Sequence, residues 1–216
     1  MKNLLCFGDS NTWGFQPGAA QRYVSDVRWT GVLQRELGPE WRVIEEGLNG
    51  RTCAFDDPVM PGRRGLDVLP MLLDTHRPLD LVLVMLGTND SKKHFNANPN
   101  VIARGMSLML EMIAKSNCGA NGRDSAPPPR VLLIAPPPLG PPGEFAEFFE
   151  GAAEKLAALP THYRALAAQY GCEFFDAGTA VTTSGIDGVH WDAPQHANFA
   201  AAIAKLVNGY SARTAR

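Results

Sequence analysis

No run of about 18 apolar residues occurs anywhere in this chain, so the sequence predicts no membrane-spanning helix. Neither sign of charge dominates. With 20 Lys and Arg against 22 Asp and Glu in 216 residues, the chain has no basic surplus to attract nucleic acid or an anionic membrane. The four cysteines, Cys6, Cys53, Cys118 and Cys172, form no C-x-x-C pair and give no sign of a disulfide framework or a zinc site. Cys6 and Cys172 fall in apolar runs, where a thiol serves as a small buried hydrophobe. His76, His94, His162, His190 and His196 show no H-E-x-x-H spacing, although Asp187, His190, Asp192 and His196 cluster in sequence. Sensitivity to a chelator would separate that metal-hydrolase reading from the others. After Met1-Lys2-Asn3 only a few apolar residues precede Gly8-Asp9, which is not the pattern of a secretory signal. We therefore expect a cytoplasmic chain with reduced thiols and neither cofactor nor metal.

What is present is an alternation. Residues 3–8, 42–47, 80–87, 130–136 and 172–176 are apolar runs of strand length. Leu81–Leu86 and Val131–Ala135 are continuous rather than alternating, as suits parallel strands covered on both faces. Helical spacing recurs between and after them at 28–37, 66–75, 100–116, 147–170 and 194–208. The order predicts one domain over residues 1–216: a flavodoxin-like three-layer α/β/α sandwich with a five-stranded parallel sheet. Two stretches interrupt the rhythm. Residues 117–129, rich in Gly, Asn and Pro, predict a surface loop, and residues 136–143 (PPPLGPPG) follow the fourth strand directly. That second stretch reads as a pocket wall, a contact with another subunit or an inert loop. Phe145, Phe148 and Phe149 come next, either as an apolar rim or as the buried face of the following helix.

The chemistry-bearing residues collect where strands end. The first strand runs into Gly8-Asp9-Ser10, which places a hydroxyl at the carboxyl edge of the sheet, where open α/β folds bind ligands. Ser10 is a candidate nucleophile; the alternative is that Ser10 or Asp9 caps a helix. The second strand leads to Asn49-Gly50-Arg51, where Gly50 offers a backbone N–H to an oxyanion or only serves a turn. The third ends in Gly87-Thr88-Asn89-Asp90. Asn89 is a candidate oxyanion donor or an Asx turn, and Asp90 a candidate helix cap. Near the carboxyl terminus, Asp187 and His190 stand three apart just before the last helix. There the carboxylate can orient the ring while the second ring nitrogen faces the serine. A serine, a base, its orienter and oxyanion donors at one edge complete an acyl-transfer set.

These four blocks, in this order and spread over nearly the whole length, resemble the SGNH-type GDSL esterase/lipase superfamily. One departure is Asn11, where the superfamily name has Leu. Cys6–Gly14, Asp26–Leu33, Val43–Leu48 and Met85–Asp90 are more particularly similar to the arylesterase branch, which includes an acyltransferase that carries acyl groups to alcohols in water. The resemblance implies Ser10 as nucleophile, His190 as base and Asp187 as its orienter. It implies an oxyanion hole from the N–H groups of Ser10 and Gly50 and the Asn89 side chain. It also implies Trp13 and Asp9 as substrate-binding residues, Trp13 being otherwise a buried structural tryptophan, together with small ester substrates and a homo-oligomer, an octamer. A carbohydrate acetyl esterase is the near alternative, with a thioesterase or lysophospholipase less favoured for want of a long apolar lid segment. A non-catalytic flavodoxin-like binding module is the remote one, since Gly8–Trp13 has neither a glycine-rich nest nor a lysine for phosphate.

Overall fold

The computed structural model describes residues 1–120 and 126–214, the side chains of 211–214 excepted. Strand β1 (Lys2–Gly8) enters α1 (Ser10–Trp13), followed by a small antiparallel hairpin of β2 (Phe15–Gln16) and β3 (Gln21–Arg22). Then come α2 (Trp29–Leu37), β4 (Trp41–Gly47), α3 (Gly65–His76), β5 (Leu81–Met85), α4 (Pro99–Ala114), β6 (Arg130–Ala135), α5 (Ala152–Tyr170), β7 (Glu173–Asp176) and α6 (Ala193–Thr214). Five strands form one parallel sheet in the order β4-β1-β5-β6-β7. The chain winds from β1 to β4 on one side and then crosses to β5 on the other. The direction of winding therefore switches between β1 and β5.

Alternation along β1 builds two cores. Leu5 and Phe7 face Leu69 of α3, Met106 of α4 and Leu159 and Tyr163 of α5, while Leu4 and Cys6 face Trp29 and Leu33 of α2 and Phe199 and Ile203 of α6. Both faces of the sheet are thus covered at its centre, which explains why β5 and β6 read as continuous apolar runs. Leu133 is fully buried in β6, and Leu133→Ala should cost about 2–5 kcal/mol in a urea unfolding titration.

The structure departs from the sequence reading at three ends. The third expected strand stops at Met85; beyond it Leu86 O accepts from Tyr163 Oη of α5 at 3.0 Å. The helix expected from residue 147 begins at Ala152; Phe145–Phe149 lie in consecutive turns, tied to the neighbouring loop by Lys93 N–H donating to Phe148 O at 2.7 Å. The last helix runs on to Thr214. Of the stretch 117–129, residues 121–125 lie outside the described residues; Gly119 forms a parallel bridge with Leu79. Among the described residues no helix is long and apolar enough to cross a membrane.

Candidate active site

Asp9 caps α1, its Oδ1 accepting from Asn11 N–H at 3.1 Å, and Gly14 N–H closes the helix on Ser10 O at 2.9 Å. Ser10 is therefore the first residue of a single helical turn, free of capping duty. The approach is close: a Cβ on Gly8 would stand 2.1 Å from Thr12 Oγ1, so only glycine lets the strand turn so tightly into the helix.

His190 reaches this turn from the other end of the chain. Its Nε2 lies 2.9 Å from Ser10 Oγ, and its Nδ1 lies 2.8 Å from Asp187 Oδ2. A carboxylate only accepts, so Nδ1 carries the proton and Nε2 is left to accept from the serine hydroxyl. The second Asp187 oxygen accepts from the N–H groups of Val189 and His190, both at 2.9 Å. Burial pushes the Asp187 carboxyl up, but the hydrogen bonds from the His190 ring and from these two amides outweigh it. The net effect holds Asp187 below its ordinary value. A hydroxyl, imidazole and carboxylate in line can pass a proton from oxygen to ring nitrogen and hold the resulting cation.

Ser10, Gly50, Asn89 and His190 share one cavity of about 340 Å³. Gly50 adopts φ +78, the left-handed region, and a Cβ there would meet Met60 Sδ at 2.9 Å. Asn89 Nδ2 donates one N–H to Arg51 O at 3.1 Å, and a primary amide has a second N–H to give. Ser10, Gly50 and Asn89 follow β1, β4 and β5, three adjacent strands at the point where the winding switches. Asp90 is no helix cap. It is buried and accepts from Cys53 N–H at 2.8 and 3.0 Å, anchoring the loop that carries Gly50; burial raises its pKa to about 7.

Two expected binding residues lie elsewhere. Asp9 is buried and committed to its cap, with burial raising its pKa to about 6 against the Asn11 N–H and the charges of His190 and Arg51. Trp13 does not line the cavity: the Arg22 guanidinium covers its ring at 5.2 Å and Phe15 stands 6.5 Å away. Phe15 takes the place expected for Trp13, stacking on the His190 ring at 4.1 Å. Phe145 meets the same ring edge-on at 5.6 Å and lines the cavity with Phe148 and Phe149, so the three phenylalanines form the apolar rim. The Pro-rich stretch 136–143 backs the Asp187 turn, with Gly140 N–H donating to Gly188 O at 2.8 Å.

Sequence reasoning also missed three polar residues. Arg51 is buried and donates to Gly8 O at 2.9 Å and to Glu46 O, tying the ends of β1 and β4; burial lowers its pKa to about 10. Lys92, at the cavity wall, pairs with the buried Asp57 at 2.9 Å. Asn11 bonds to both neighbours of His190. None of these residues stands in a recognisable spacing; only the departure at Asn11 was visible. The sequence cluster Asp187–His196 is divided among separate tasks. Asp192 caps α6 through Gln195 N–H at 3.3 Å, and His196 Nδ1 accepts from Trp29 N–H at 3.2 Å. Among the described residues no three His, Cys, Asp or Glu side chains group as a metal site.

A family model described as GDSL-like Lipase/Acylhydrolase matches residues 6–202. A search of curated proteins finds no match. Among solved structures, the chain is similar to Est24, a carbohydrate acetylesterase from Sinorhizobium meliloti, at 42% identity and TM-score 0.93, covering 97% of this chain and 100% of that one. It is similar to the native aryl esterase of M. smegmatis at 43% identity and TM-score 0.91, covering 97% and 99%. A carbohydrate acetylesterase family member from Sinorhizobium meliloti matches at 38% identity and TM-score 0.89, covering 96% and 97%.

Proposed function

The chain belongs to the GDSL-like Lipase/Acylhydrolase family and is a carboxylic ester hydrolase, and we propose that Ser10, His190 and Asp187 cleave short-chain acyl esters through an acyl-enzyme. Membership in an esterase family sets aside the non-catalytic binding module. The observation that carries the reading is the continuous line Ser10 Oγ–His190–Asp187, with contacts of 2.9 and 2.8 Å, opening on the cavity.

Ser10 Oγ attacks the ester carbonyl as its proton passes to His190 Nε2, and Asp187 stabilises the cation formed. The N–H groups of Ser10 and Gly50 and the free N–H of Asn89 receive the developing oxyanion. His190 then gives its proton to the leaving alkoxide. Water, or a second alcohol, attacks the acyl-serine by the same route in reverse. Phe15, Phe145, Phe148 and Phe149 shield this step and favour an alcohol acceptor, which supports some acyl transfer beside hydrolysis. The test is turnover of p-nitrophenyl esters of increasing acyl length, with Ser10→Ala as control. Activity confined to acetyl through butyryl and abolished in the control is the expected result. Activity retained in Ser10→Ala, or maximal on long chains, would refute it.

Removal of acetyl groups from a carbohydrate is the second reading. Asn49 and Lys92 give the cavity wall polar groups suited to sugar hydroxyls, and two similar structures bear that description. Comparison of kcat/KM on p-nitrophenyl acetate and an acetylated monosaccharide separates the two. We further read residues 1–216 as one catalytic domain in the cytoplasm, in keeping with four free cysteines. A homo-oligomer, an octamer, is the assembly we propose from the resemblance to the arylesterase branch; a monomer in light scattering would refute it.

A further inference from the structure

Asn11 makes two long-range contacts that bracket the base. Its Nδ2 donates to Val189 O at 3.2 Å, and its Oδ1 accepts from Trp191 N–H at 3.1 Å. The residue between those two partners is His190. Asn11 is itself fixed in the first turn of α1, its own N–H donating to Asp9 Oδ1. Its side chain and both contacts are buried. The donor–acceptor pattern, one bond given and one received at two separate backbone groups, suits the forked primary amide. A carboxylate cannot donate to the Val189 carbonyl, a leucine can do neither, and the amide's orientation is set because one partner is a C=O and the other an N–H.

We propose that Asn11 is a positioning residue that clamps the His190 peptide against the serine turn, so that the base is held by the nucleophile's own neighbour. The geometry closes a small ring: Ser10 to Asn11 through the chain, Asn11 to Val189 and Trp191 through the amide, and His190 back to Ser10 Oγ at 2.9 Å. Asp187 fixes the same segment from its other side through the N–H groups of Val189 and His190. The ring is therefore gripped on both flanks, and its distance to Ser10 does not depend on the side-chain contact alone. This inference rests on the proposed Ser10–His190 pair.

Asn11→Leu, close in volume, removes both hydrogen bonds and leaves a buried carbonyl and a buried N–H without this partner. The expected result is a fall in kcat on p-nitrophenyl acetate of about tenfold to a hundredfold, the scale of a small misplacement of a reacting group. KM should change by less than about twofold, because Asn11 does not line the cavity. A low-field proton resonance is expected from the His190–Asp187 hydrogen bond of the wild type and should broaden or vanish in the variant. Asn11→Ala, which cannot crowd the site, should give the same split if the leucine variant does not fold. Wild-type kcat with an unchanged resonance in a folded variant would overturn the role of Asn11 alone, provided Ser10→Ala is inactive. A Ser10→Ala enzyme with full activity would instead remove the nucleophile reading, and this proposal with it.

Discussion

The cavity has two walls of opposite character. One is polar: Ser10, Gly50, Asn89 and His190 stand at or beyond strand ends, and Asp187, Asn11, Arg51 and Asp90 behind them hold backbone groups in place. The other is apolar: Phe15 comes from the hairpin and Phe145, Phe148 and Phe149 from turns ahead of α5. Loops and turns carry both walls, but those of the polar wall are pinned to the strand ends by buried hydrogen bonds. The polar wall needs fixed positions because oxyanion donors and a base act only at the right distance, whereas an apolar wall need only fill space.

If that division holds, damage should rank by wall. Ser10→Ala should lose about four orders of magnitude or more in kcat on p-nitrophenyl acetate, as removal of a nucleophile does, and His190→Ala nearly as much. Asp187→Asn should fall short of His190→Ala, since Asp187 orients rather than accepts the proton; equal or greater damage in side-by-side kinetics would contradict that ranking. Asn89→Ala should cost about a hundredfold to a thousandfold with the fold intact, and a loss under about tenfold would make Asn89 a turn former. On the apolar wall, Phe148→Ala should leave acetyl ester kcat within about threefold and raise kcat/KM for hexanoyl over acetyl ester by about tenfold. A drop in acetyl turnover comparable to Asn89→Ala would erase the distinction between the walls.

The smallest effect concerns stability. Asp90 holds its proton to about pH 7 when folded and to the ordinary carboxylate range when unfolded. The folded state therefore binds more protons between those values, and stability declines as pH rises through that window. Asp90→Asn keeps an acceptor for Cys53 N–H without the charge and should flatten the decline in Tm measured from about pH 5 to 8. Asp187 works in the opposite sense, its contribution fading as the medium becomes acid. An unchanged slope in Asp90→Asn would locate the titration elsewhere.

The polar wall was largely legible in the sequence and the apolar wall was not. Strands buried on both faces announce themselves as continuous apolar runs, and Gly8-Asp9-Ser10, Gly50, Asn89 and Asp187-x-x-His190 each follow a strand or precede the last helix. Trp13 ends α1 and Phe15 opens the hairpin two residues on, a junction whose course no periodicity fixes, so the sequence does not settle which aromatic faces the cavity. Asp9 was legible as a cap from residue type alone, and its assignment to substrate came from resemblance. The work of Asn11 was invisible because its partners lie 178 and 180 residues away, a distance that only the folded topology closes.

That separation has a consequence for how activity arises. Ser10, Gly50 and Asn89 all precede β6, while Asp187 and His190 follow β7. A ribosome that has released the first three strands of the sheet has exposed the serine turn and all three candidate oxyanion donors, yet no general base. On the proposed roles, hydrolysis would begin only when the segment through residue 190 docks, so a nascent chain would turn over no ester until the sheet is complete. If Ser10 and His190 act as proposed, fragments cut between β5 and β6 each hold only part of the site, and ester turnover would report their reassembly.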